Sequence, residues 1–337
     1  MRAENTSFAE IWQALRSAHR IALSLHPSPD GDSLGCCTAL KYVLERDCGS
    51  RVTLISPDAL SENLAALPFT NEIQFGVDIS DLRPEEHDLF VCMDYGSLRA
   101  FSVKKRGTFS LPAGMSVINI DHHVVNDYHG TLNYVDSSQP SLCSLLIDFF
   151  AAVGVSFDAE LARRLLIGVC TDSGFFTYDS NPYKALKDAV FLIEHGADYL
   201  DGVLRPVLYN QPLKLKKYQG ALINALKFSE EFKCGYACIA GEEIKTLGLN
   251  EAEVRIGINE LQFISEFDFV FTLAEMGNHI KGSFRTKKSI DVSLFAKALG
   301  GGGHTAAAAF VLPQMPLLEA EQRVFAAIRS VKGRDLV

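Results

Sequence analysis

The chain has 337 residues, which exceeds the length at which one hydrophobic core usually suffices, so we expect two domains. Hydrophobic residues make up 47% of the chain and charged residues 22%, and no apolar run reaches the roughly 18–20 residues that span a bilayer, which argues against a membrane protein. The formal net charge of −9 argues against a protein that tracks long nucleic acid, because such proteins usually carry a basic surface. This balance favours a small anionic substrate.

The N-terminal segment lacks the apolar core of a signal peptide. Eight cysteines are scattered through mostly apolar segments, and none of them forms a C-x-x-C pair. Buried, reduced thiols are therefore expected rather than disulfides or a zinc site, and the predicted location is cytoplasmic.

Short apolar runs alternate with helical patterns in the first half of the chain. Strands are predicted at 21–25, 52–56, 89–93 and 116–120. A helix is predicted from Ser33, with Asp32 or Ser33 as its N-cap. Strands that alternate with helices predict a parallel α/β sheet, in which ligands bind beyond the carboxyl ends of the strands.

The second half of the chain has a different pattern. Helices are predicted at 158–170 and from Asn181-Pro182 to about Glu194. Short strands follow at 235–239, 269–274 and 279–285, then a glycine run at 300–303 and a final helix. We therefore predict a catalytic domain at 1–196, a linker with several prolines and lysines at 197–217, and a smaller α/β domain at 218–337.

Four clusters of aspartate and histidine lie where predicted elements end. They are His26-Pro-Ser-Pro-Asp30-Gly-Asp32, Met93-Asp94, Asp121-His122-His123 and Thr171-Asp172-Ser173. Three of them follow strands whose carboxyl ends should meet at one edge of the sheet. Carboxylates and imidazoles together suit divalent metals of the Mn²⁺ type, and two such ions would indicate hydrolysis of a phosphate ester.

Each cluster also has a simpler interpretation. The first could be a helix N-cap after an ordinary loop, and aspartates such as Asp94 often end strands. The imidazoles of His122 and His123 could each have ordinary hydrogen-bond partners. Asp172 fits the simpler interpretation least well, because it follows a segment predicted to be deeply buried and a buried carboxylate without a cation is costly.

The order and spacing of the clusters resemble the DHH phosphoesterase superfamily. Its pattern is H-x-x-x-D-x-D, an isolated strand-end aspartate, D-H-H and T-D-[ST]-G. The run Gly-Gly-Gly-Gly-His-Thr-Ala-Ala-Ala-Ala-Phe at 300–310 resembles the glycine-rich substrate loop of the associated DHHA1 domain. The resemblance covers nearly the whole chain. It implies an N-terminal parallel-sheet domain, a smaller C-terminal α/β domain and an active-site cleft between the two.

The resemblance also implies roles for individual residues around two divalent ions, with Mn²⁺ as the preferred metal. The implied metal ligands are His26, Asp30, Asp32, Asp94, His122 and Asp172. The first two would hold one ion, Asp94 would bridge the pair, and the remaining three would hold the other ion. His123 would face the scissile phosphate, and Asp121 would orient a histidine.

The implied substrate-binding residues lie near the end of the chain. They are Arg285, Gly301, Gly302, Gly303 and His304. Without Cβ atoms, glycine N–H groups can approach a phosphate closely, and an arginine fork suits a terminal phosphate. A flexible glycine hinge and a solvated basic patch are the alternatives. The chain departs from the family pattern at Ala306, where asparagine is usual, and at Ala309, where glycine is usual and where the alanine would tighten helix packing.

The two-domain arrangement is similar to the nanoRNase/pAp-phosphatase branch of the superfamily. That branch removes nucleotides from very short RNA and dephosphorylates adenosine 3′,5′-bisphosphate (pAp). The resemblance thus implies short oligoribonucleotides, pAp and the dinucleotide pApA as substrates, allows a homodimer, and implies neither a membrane nor long duplex nucleic acid as a partner. The alternatives are a pApA phosphodiesterase of cyclic-di-AMP breakdown, a RecJ-like single-strand exonuclease, a family II pyrophosphatase and a non-catalytic nucleotide-binding regulator.

Overall fold

The chain folds into two compact units, Met1–Asn210 and Gln211–Val337. The computed structural model describes residues 5–110, 114–177, 181–287, 289–303 and 305–332. The division falls inside the segment 197–217 that we predicted as a linker. Most of that segment is helical: a π-helical stretch, Leu200–Tyr209, buries Val203 and Val207 in the core of the first unit. No helix of the described residues is long and apolar enough to cross a membrane.

The first unit contains a sheet of six parallel strands. They are β1 (Arg20–Ser24), β2 (Arg51–Ser56), β3 (Gln74–Phe75), β4 (Leu89–Met93), β5 (Ser116–Asp121) and β6 (Leu132–Val135). Their order across the sheet is β3-β2-β1-β4-β5-β6, and every neighbouring pair is parallel. The predicted parallel sheet is therefore confirmed. The direction of winding reverses between β1 and β4, which is where open α/β sheets place their ligand crevice.

The described part of the first unit contains seven α-helices, and the three that were predicted begin close to the predicted positions, with one correction. They are α1 (Phe8–Ser17), α2 (Gly31–Cys48), α3 (Glu62–Ala65), α4 (Leu98–Phe101), α5 (Leu142–Ala152), α6 (Ala159–Asp172) and α7 (Pro182–Glu194), with short 3-10 helices at Pro68–Glu72, Ile79–Asp81 and Pro84–Glu86. The N-cap of α2 is Asp30, whose side chain accepts a hydrogen bond from the Ser33 N–H. The prediction of Asp32 or Ser33 as the cap was therefore wrong, and Asp32 lies within the first turn.

Two glycines allow α6 to approach α2 closely. A Cβ placed at Gly168 would lie 2.3 Å from Asp32 Oδ1 and 2.3 Å from Cys143 Sγ. A Cβ at Gly31 would lie 2.2 Å from Thr171 Oγ1. The two contacts hold the first turn of α2 against the last turns of α6, so they set the distance between the aspartates at 32 and 172.

The second unit contains a mixed six-stranded sheet with helices on both faces. Its strands are β7 (Lys227–Ser229), β8 (Cys234–Ile239), β9 (Phe269–Glu275), β10 (His279–Thr286), β11 (Gly302–Gly303) and β12 (Ala307–Pro313), and its helices are α8 (Leu213–Asn224), α9 (Gly241–Leu247), α10 (Glu251–Gly257), a 3-10 helix at Ile258–Phe263, α11 (Val292–Ala298) and α12 (Leu317–Lys332). The order is β11-β12-β10-β9-β8-β7, in which only β8 and β9 are parallel among the described strands.

Alternate residues of β9 fill two separate cores. Phe269, Phe271 and Leu273 belong to a cluster with α11 and α12, whereas Val270 and Ala274 belong to a cluster with α8 and α10. This follows from the two-residue period of a strand. The alanine-rich run before Phe310 forms β12, with Ala309 opposite Ser283 of β10 and Gly302 of β11. The expectation that Ala309 tightens helix packing was therefore wrong.

We expect Gly168→Ala to destabilise the first unit by about 1–3 kcal/mol, because the added methyl group overpacks the contact between α6 and Asp32. Urea unfolding followed by the fluorescence of Trp12 measures this, since the only tryptophan of the chain lies in α1. The matched control is Gly220→Ala in α8, where no described atom lies near the new Cβ. It should leave the tryptophan transition unchanged. An unchanged transition in Gly168→Ala would show that the close approach of α6 to α2 does not contribute to the stability of the first unit.

Candidate metal centre

The carboxyl ends of three neighbouring strands carry one side of the candidate centre. His26 follows β1 after one residue, Asp94 follows β4 directly, and Asp121 is the last residue of β5. In the register of the sheet, Met93 pairs with Ile120, so Asp94 and Asp121 lie next to each other across β4 and β5. The strand order thus brings together residues that are far apart in the sequence.

Two helices and one loop complete the centre. Asp30 caps α2, Asp32 lies in its first turn, and Asp172 ends α6. His122 and His123 follow β5 directly. All six predicted metal ligands, together with Asp121 and His123, therefore lie at one place in the first unit.

Three groups of these residues have ligand atoms close enough to hold a cation. Within each group, the atoms lie within 4.8 Å of one another; the groups are His26 with Asp30 and Asp94, Asp32 with His122 and Asp172, and Asp94 with His122 and His123. Asp94 and His122 each belong to two groups. A carboxylate shared between adjacent groups could bridge a pair of neighbouring cations.

The two innermost histidines present Nε2 to the carboxylates. His26 Nε2 lies 3.6 Å from Asp30 Oδ1 and 3.6 Å from Asp94 Oδ2, while its Nδ1 donates to the Pro27 carbonyl at 2.8 Å. His122 Nε2 lies 3.4 Å from Asp94 Oδ1, and its Nδ1 lies 3.3 Å from the Gln139 carbonyl. A backbone carbonyl at Nδ1 fixes the proton there and leaves Nε2 as the atom that can bind a metal.

Asp32 is held by the start of a helix that was not predicted. Its Oδ2 accepts a hydrogen bond from the Leu142 N–H at 2.6 Å, and its Oδ1 accepts one from the Cys143 N–H at 2.9 Å. These are the first two residues of α5, where unpaired N–H groups and the helix dipole favour a negative charge. The carboxylate is thereby fixed beside His122, whose Nε2 lies 3.7 Å from Asp32 Oδ2.

Both oxygens of Asp121 are occupied by neighbouring groups of the protein. Oδ1 accepts from the His122 N–H at 2.9 Å and from His123 Nδ1 at 2.7 Å, and Oδ2 accepts from Asn126 Nδ2 at 2.6 Å. Asn126 Oδ1 in turn accepts from Asn119 Nδ2 at 2.9 Å. The two asparagines were not predicted as part of the site. Asn119 did carry a signal, because it is a polar residue inside the apolar strand β5.

The carboxylates of the centre outnumber its imidazoles, and this excess of negative charge shifts the pKa values of the carboxylates. Burial and the Asp94 carboxylate raise the pKa of Asp32 to about 7. Burial also raises the pKa of Asp172 well above its ordinary value, despite the nearby His122. Burial acts in the same direction on Asp94, but hydrogen bonds from His122 and His26 outweigh it and hold the pKa of Asp94 at about 2.

The same excess of carboxylates also shifts the pKa values of the histidines. Burial lowers the pKa of His26 and of His122, but the surrounding carboxylates outweigh it and raise both pKa values well above the ordinary value. In the protein alone, these raised pKa values favour protonation of Asp32, Asp172, His26 and His122. Divalent cations would supply the missing positive charge, so the donor set fits a metal centre.

One edge of the centre faces solvent. The side chains of Asp30, His123 and Asp172 are 37%, 25% and 23% exposed, respectively. Those of His26, Asp32, Asp94, Asp121 and His122 are buried. A substrate would thus reach the centre on the side of the first three residues.

The predicted substrate-binding residues belong to the second unit. The Arg285 side chain is buried on β10, where Nε donates to Asn259 Oδ1 at 2.9 Å and a terminal nitrogen donates to the Phe284 carbonyl at 2.8 Å. The alternative of a solvated basic patch does not describe this arginine. Lys287, two residues further on, is exposed.

Backbone geometry explains three of the four glycines of the run: Gly300 has φ of +79°, and Gly301 and Gly303 lie against β12. A Cβ at Gly301 would lie 2.2 Å from the Ala309 carbonyl oxygen, and one at Gly303 would lie 2.6 Å from the Ala307 carbonyl oxygen. A Cβ at Gly302 would meet no described atom within 4 Å. Close approach of β11 to β12 therefore requires glycine at 301 and 303. His304, predicted as a further substrate-binding residue, lies outside the described residues.

Comparison with known proteins agrees with this geometry. The model of the DHH family N-terminal domain matches residues 20–169, and that of the DHHA1 domain matches residues 236–333. A bifunctional oligoribonuclease and PAP phosphatase, NrnA, from Thermus thermophilus is 25% identical over 95% of this chain and 92% of its own length.

Two solved structures share the fold. An exopolyphosphatase-related protein from Bacteroides fragilis has a TM-score of 0.83 at 22% identity, covering 97% of this chain and 96% of its own. RecJ in complex with Mn²⁺ from Thermus thermophilus has a TM-score of 0.56 at 17% identity, covering 96% of this chain and 54% of its own. The matched domains, the order of the motifs and their convergence lead to one conclusion: the chain belongs to the DHH/DHHA1 phosphoesterase family.

Proposed function

We propose that the chain is a two-metal phosphoesterase that hydrolyses very short oligoribonucleotides and converts pAp to AMP. The observation that carries the proposal is the position of Asp94, whose two oxygens face different groups of ligand atoms. Oδ2 lies 3.6 Å from His26 Nε2, and Oδ1 lies 3.4 Å from His122 Nε2. The two activities for which the NrnA relative is named, oligoribonuclease and PAP phosphatase, support the choice of substrates.

The proposed metal ligands divide into two sets that share Asp94. His26 and Asp30 would hold one ion, and Asp32, His122 and Asp172 would hold the other. Carboxylate and imidazole donors suit Mn²⁺, and the RecJ structure named above contains that metal. When bound, such a pair of ions lowers the pKa of a water molecule and neutralises charge on the phosphate.

His123 is the proposed residue that acts on the phosphate ester. Asp121 holds its Nδ1, which leaves Nε2 as the atom to contact the phosphate or to protonate the leaving oxygen. Burial lowers the pKa of His123, but Asp121 outweighs it and raises that pKa above the ordinary value. A raised pKa favours the protonated imidazole, which is the form that can donate a proton to the leaving oxygen.

Recognition of a second phosphate is proposed for the second unit. The Arg285 guanidinium, the N–H groups of Gly301, Gly302 and Gly303, and His304 would supply positive charge and hydrogen-bond donors. The net charge of −9 does not favour the attraction of a long polyanionic strand. Both features favour a small substrate with a terminal phosphate.

The test of the function is Mn²⁺-dependent turnover of pAp, pApA, a diribonucleotide, a pentaribonucleotide and an oligoribonucleotide of two dozen residues. We expect the short substrates to be cleaved and the long one to be spared. Asp94→Asn should be inactive, because it removes the shared charge while asparagine still tolerates the positive φ at this position. Asp47→Asn, an exposed change at the end of α2, is the control.

Other outcomes of the same assay would replace the proposal. Equal rates on the long and short strands would favour a RecJ-like exonuclease, and turnover of pApA alone would favour a linear-dinucleotide phosphodiesterase. Ready hydrolysis of pyrophosphate would favour a family II pyrophosphatase. Binding of pAp without any turnover would indicate a regulator.

The shared position of Asp94 predicts how metal binding responds to mutation. Titration calorimetry of the metal-free protein should show two Mn²⁺ ions per chain. Asp94→Asn should weaken both by at least about tenfold, whereas Asp30→Asn should weaken only one, because Asp30 belongs to one group of ligand atoms. Unchanged binding of both ions to Asp94→Asn would contradict a bridging carboxylate.

The contacts of Asn126 predict that its mutation impairs catalysis without impairing metal binding. Its amide holds Asp121, which in turn holds His123, so Asn126→Ala should lower kcat by about 10–100-fold and leave Mn²⁺ affinity unchanged. The exposed Asn278→Ala is the control. If Asn126→Ala loses Mn²⁺ affinity and activity in parallel, the asparagine supports the ligands instead of His123.

A further inference from the structure

The turn between His26 and Asp30 has a single backbone donor at its tip. Pro27 and Pro29 lack a backbone N–H, so only Ser28, which lies between them, can donate a hydrogen bond from this tip. Ser28 also has a left-handed backbone, with φ of +56°, which is uncommon for residues other than glycine. The conformation of a turn that carries both proposed ligands of one ion therefore depends on the acceptor of the Ser28 N–H.

Asp58 supplies this acceptor. Its Oδ2 accepts a hydrogen bond from the Ser28 N–H at 2.8 Å. Asp58 follows β2 after one residue, and β2 pairs with β1, which His26 follows after one residue. Ser56, the buried last residue of β2, donates from Oγ to the Asp58 backbone carbonyl at 2.6 Å. The acceptor is therefore fixed to the end of β2, beside the strand that positions His26.

One peptide group connects Asp58 to His26. The Ser28 N–H and the Pro27 carbonyl belong to the same peptide group, which is planar and rigid. The N–H donates to Asp58, and the carbonyl accepts from His26 Nδ1 at 2.8 Å. Because the plane is rigid, the Asp58 carboxylate determines the direction of the carbonyl that orients the imidazole. Hydrogen bonds in such a chain also polarise one another, so the carboxylate at one end strengthens the bond to the imidazole at the other.

We propose that Asp58 is a positioning residue for His26, and through His26 for one of the two ions. This role rests on the proposed function, because it requires a centre that binds two ions. Asp58 is in none of the three groups of ligand atoms found among the described residues, so it would act without contacting a metal. With Asp58 in place, His26 Nε2 is held 3.6 Å from Asp30 Oδ1 and 3.6 Å from Asp94 Oδ2. Without Asp58, the peptide group would be free to turn and the imidazole would lose its fixed direction.

Titration calorimetry of the metal-free full chain with Mn²⁺ tests this role. Asp58→Ala should weaken one of the two ions by about tenfold and leave the other unchanged, because the outer hydrogen-bond partners of a metal-binding histidine affect affinity on this scale. The weakened ion should be the one that Asp30→Asn weakens, so the combined variant should keep the affinity of the other ion. Asp58→Asn should stay within about threefold of the unmutated chain, because an amide oxygen still accepts the Ser28 N–H.

The matched control is Asp198→Ala in the same unit. The Asp198 carboxylate also accepts one backbone N–H, that of Asp201 at 3.0 Å, but it lies outside the candidate centre, so both ions should bind as before. Thermal melting of each variant shows that it is folded.

Three results would overturn the role of Asp58 and leave the proposed function in place. The first is unchanged binding of both ions to Asp58→Ala, and the second is an equal loss of both ions. The third is an equal effect of Asp58→Ala and Asp58→Asn, which would mean that the charge of Asp58 acts on the centre and its hydrogen bond does not. An unmutated chain that binds fewer than two Mn²⁺ ions would contradict the proposed function as well.

Discussion

The burial of several carboxylates at one place is the constraint on which the first unit depends. Five aspartates and three histidines share the centre, and like charges at such separations repel strongly when water is excluded. The fold supports three of the aspartates by itself. Asp30 caps α2, Asp32 rests on the N-terminus of α5, and Asp121 is paired with His123 and Asn126. Asp94 and Asp172 rely on positive charge inside the centre, which protons supply in part and cations would supply fully.

The topology of the first sheet determines where these buried carboxylates lie. The strand order changes direction between β1 and β4, so the connections that leave these two strands run away from each other and leave a crevice at their carboxyl ends. Helices α2 and α6 then close the centre from the side, and their approach depends on the missing side chains at Gly31 and Gly168. Residues that bear no charge thus determine how far apart the charged ones lie.

The fold class and the convergence of the site followed from sequence patterns, because strand ends are marked by the change from apolar to acidic residues. Other features had no comparable signal. Helix α5 is almost entirely apolar, so it lacks the polar face that reveals a helix, and its role in holding Asp32 was not predicted. The alanines at 307–309 favour a helix by propensity, but pairing with β10 and β11 places them in a strand.

The residue type at position 94 is determined both by the charge that the centre needs and by the backbone conformation at that position. The Asp94 backbone has φ of +58°, a left-handed region that glycine, asparagine and aspartate adopt more readily than most other residues. A regular strand conformation there would turn the carboxylate away from the two histidines that it contacts on either side. Glycine would satisfy the backbone without a ligand, and asparagine would satisfy it without the charge. Aspartate is the residue that meets both demands, which explains how one acidic residue in an otherwise apolar segment can organise the whole centre.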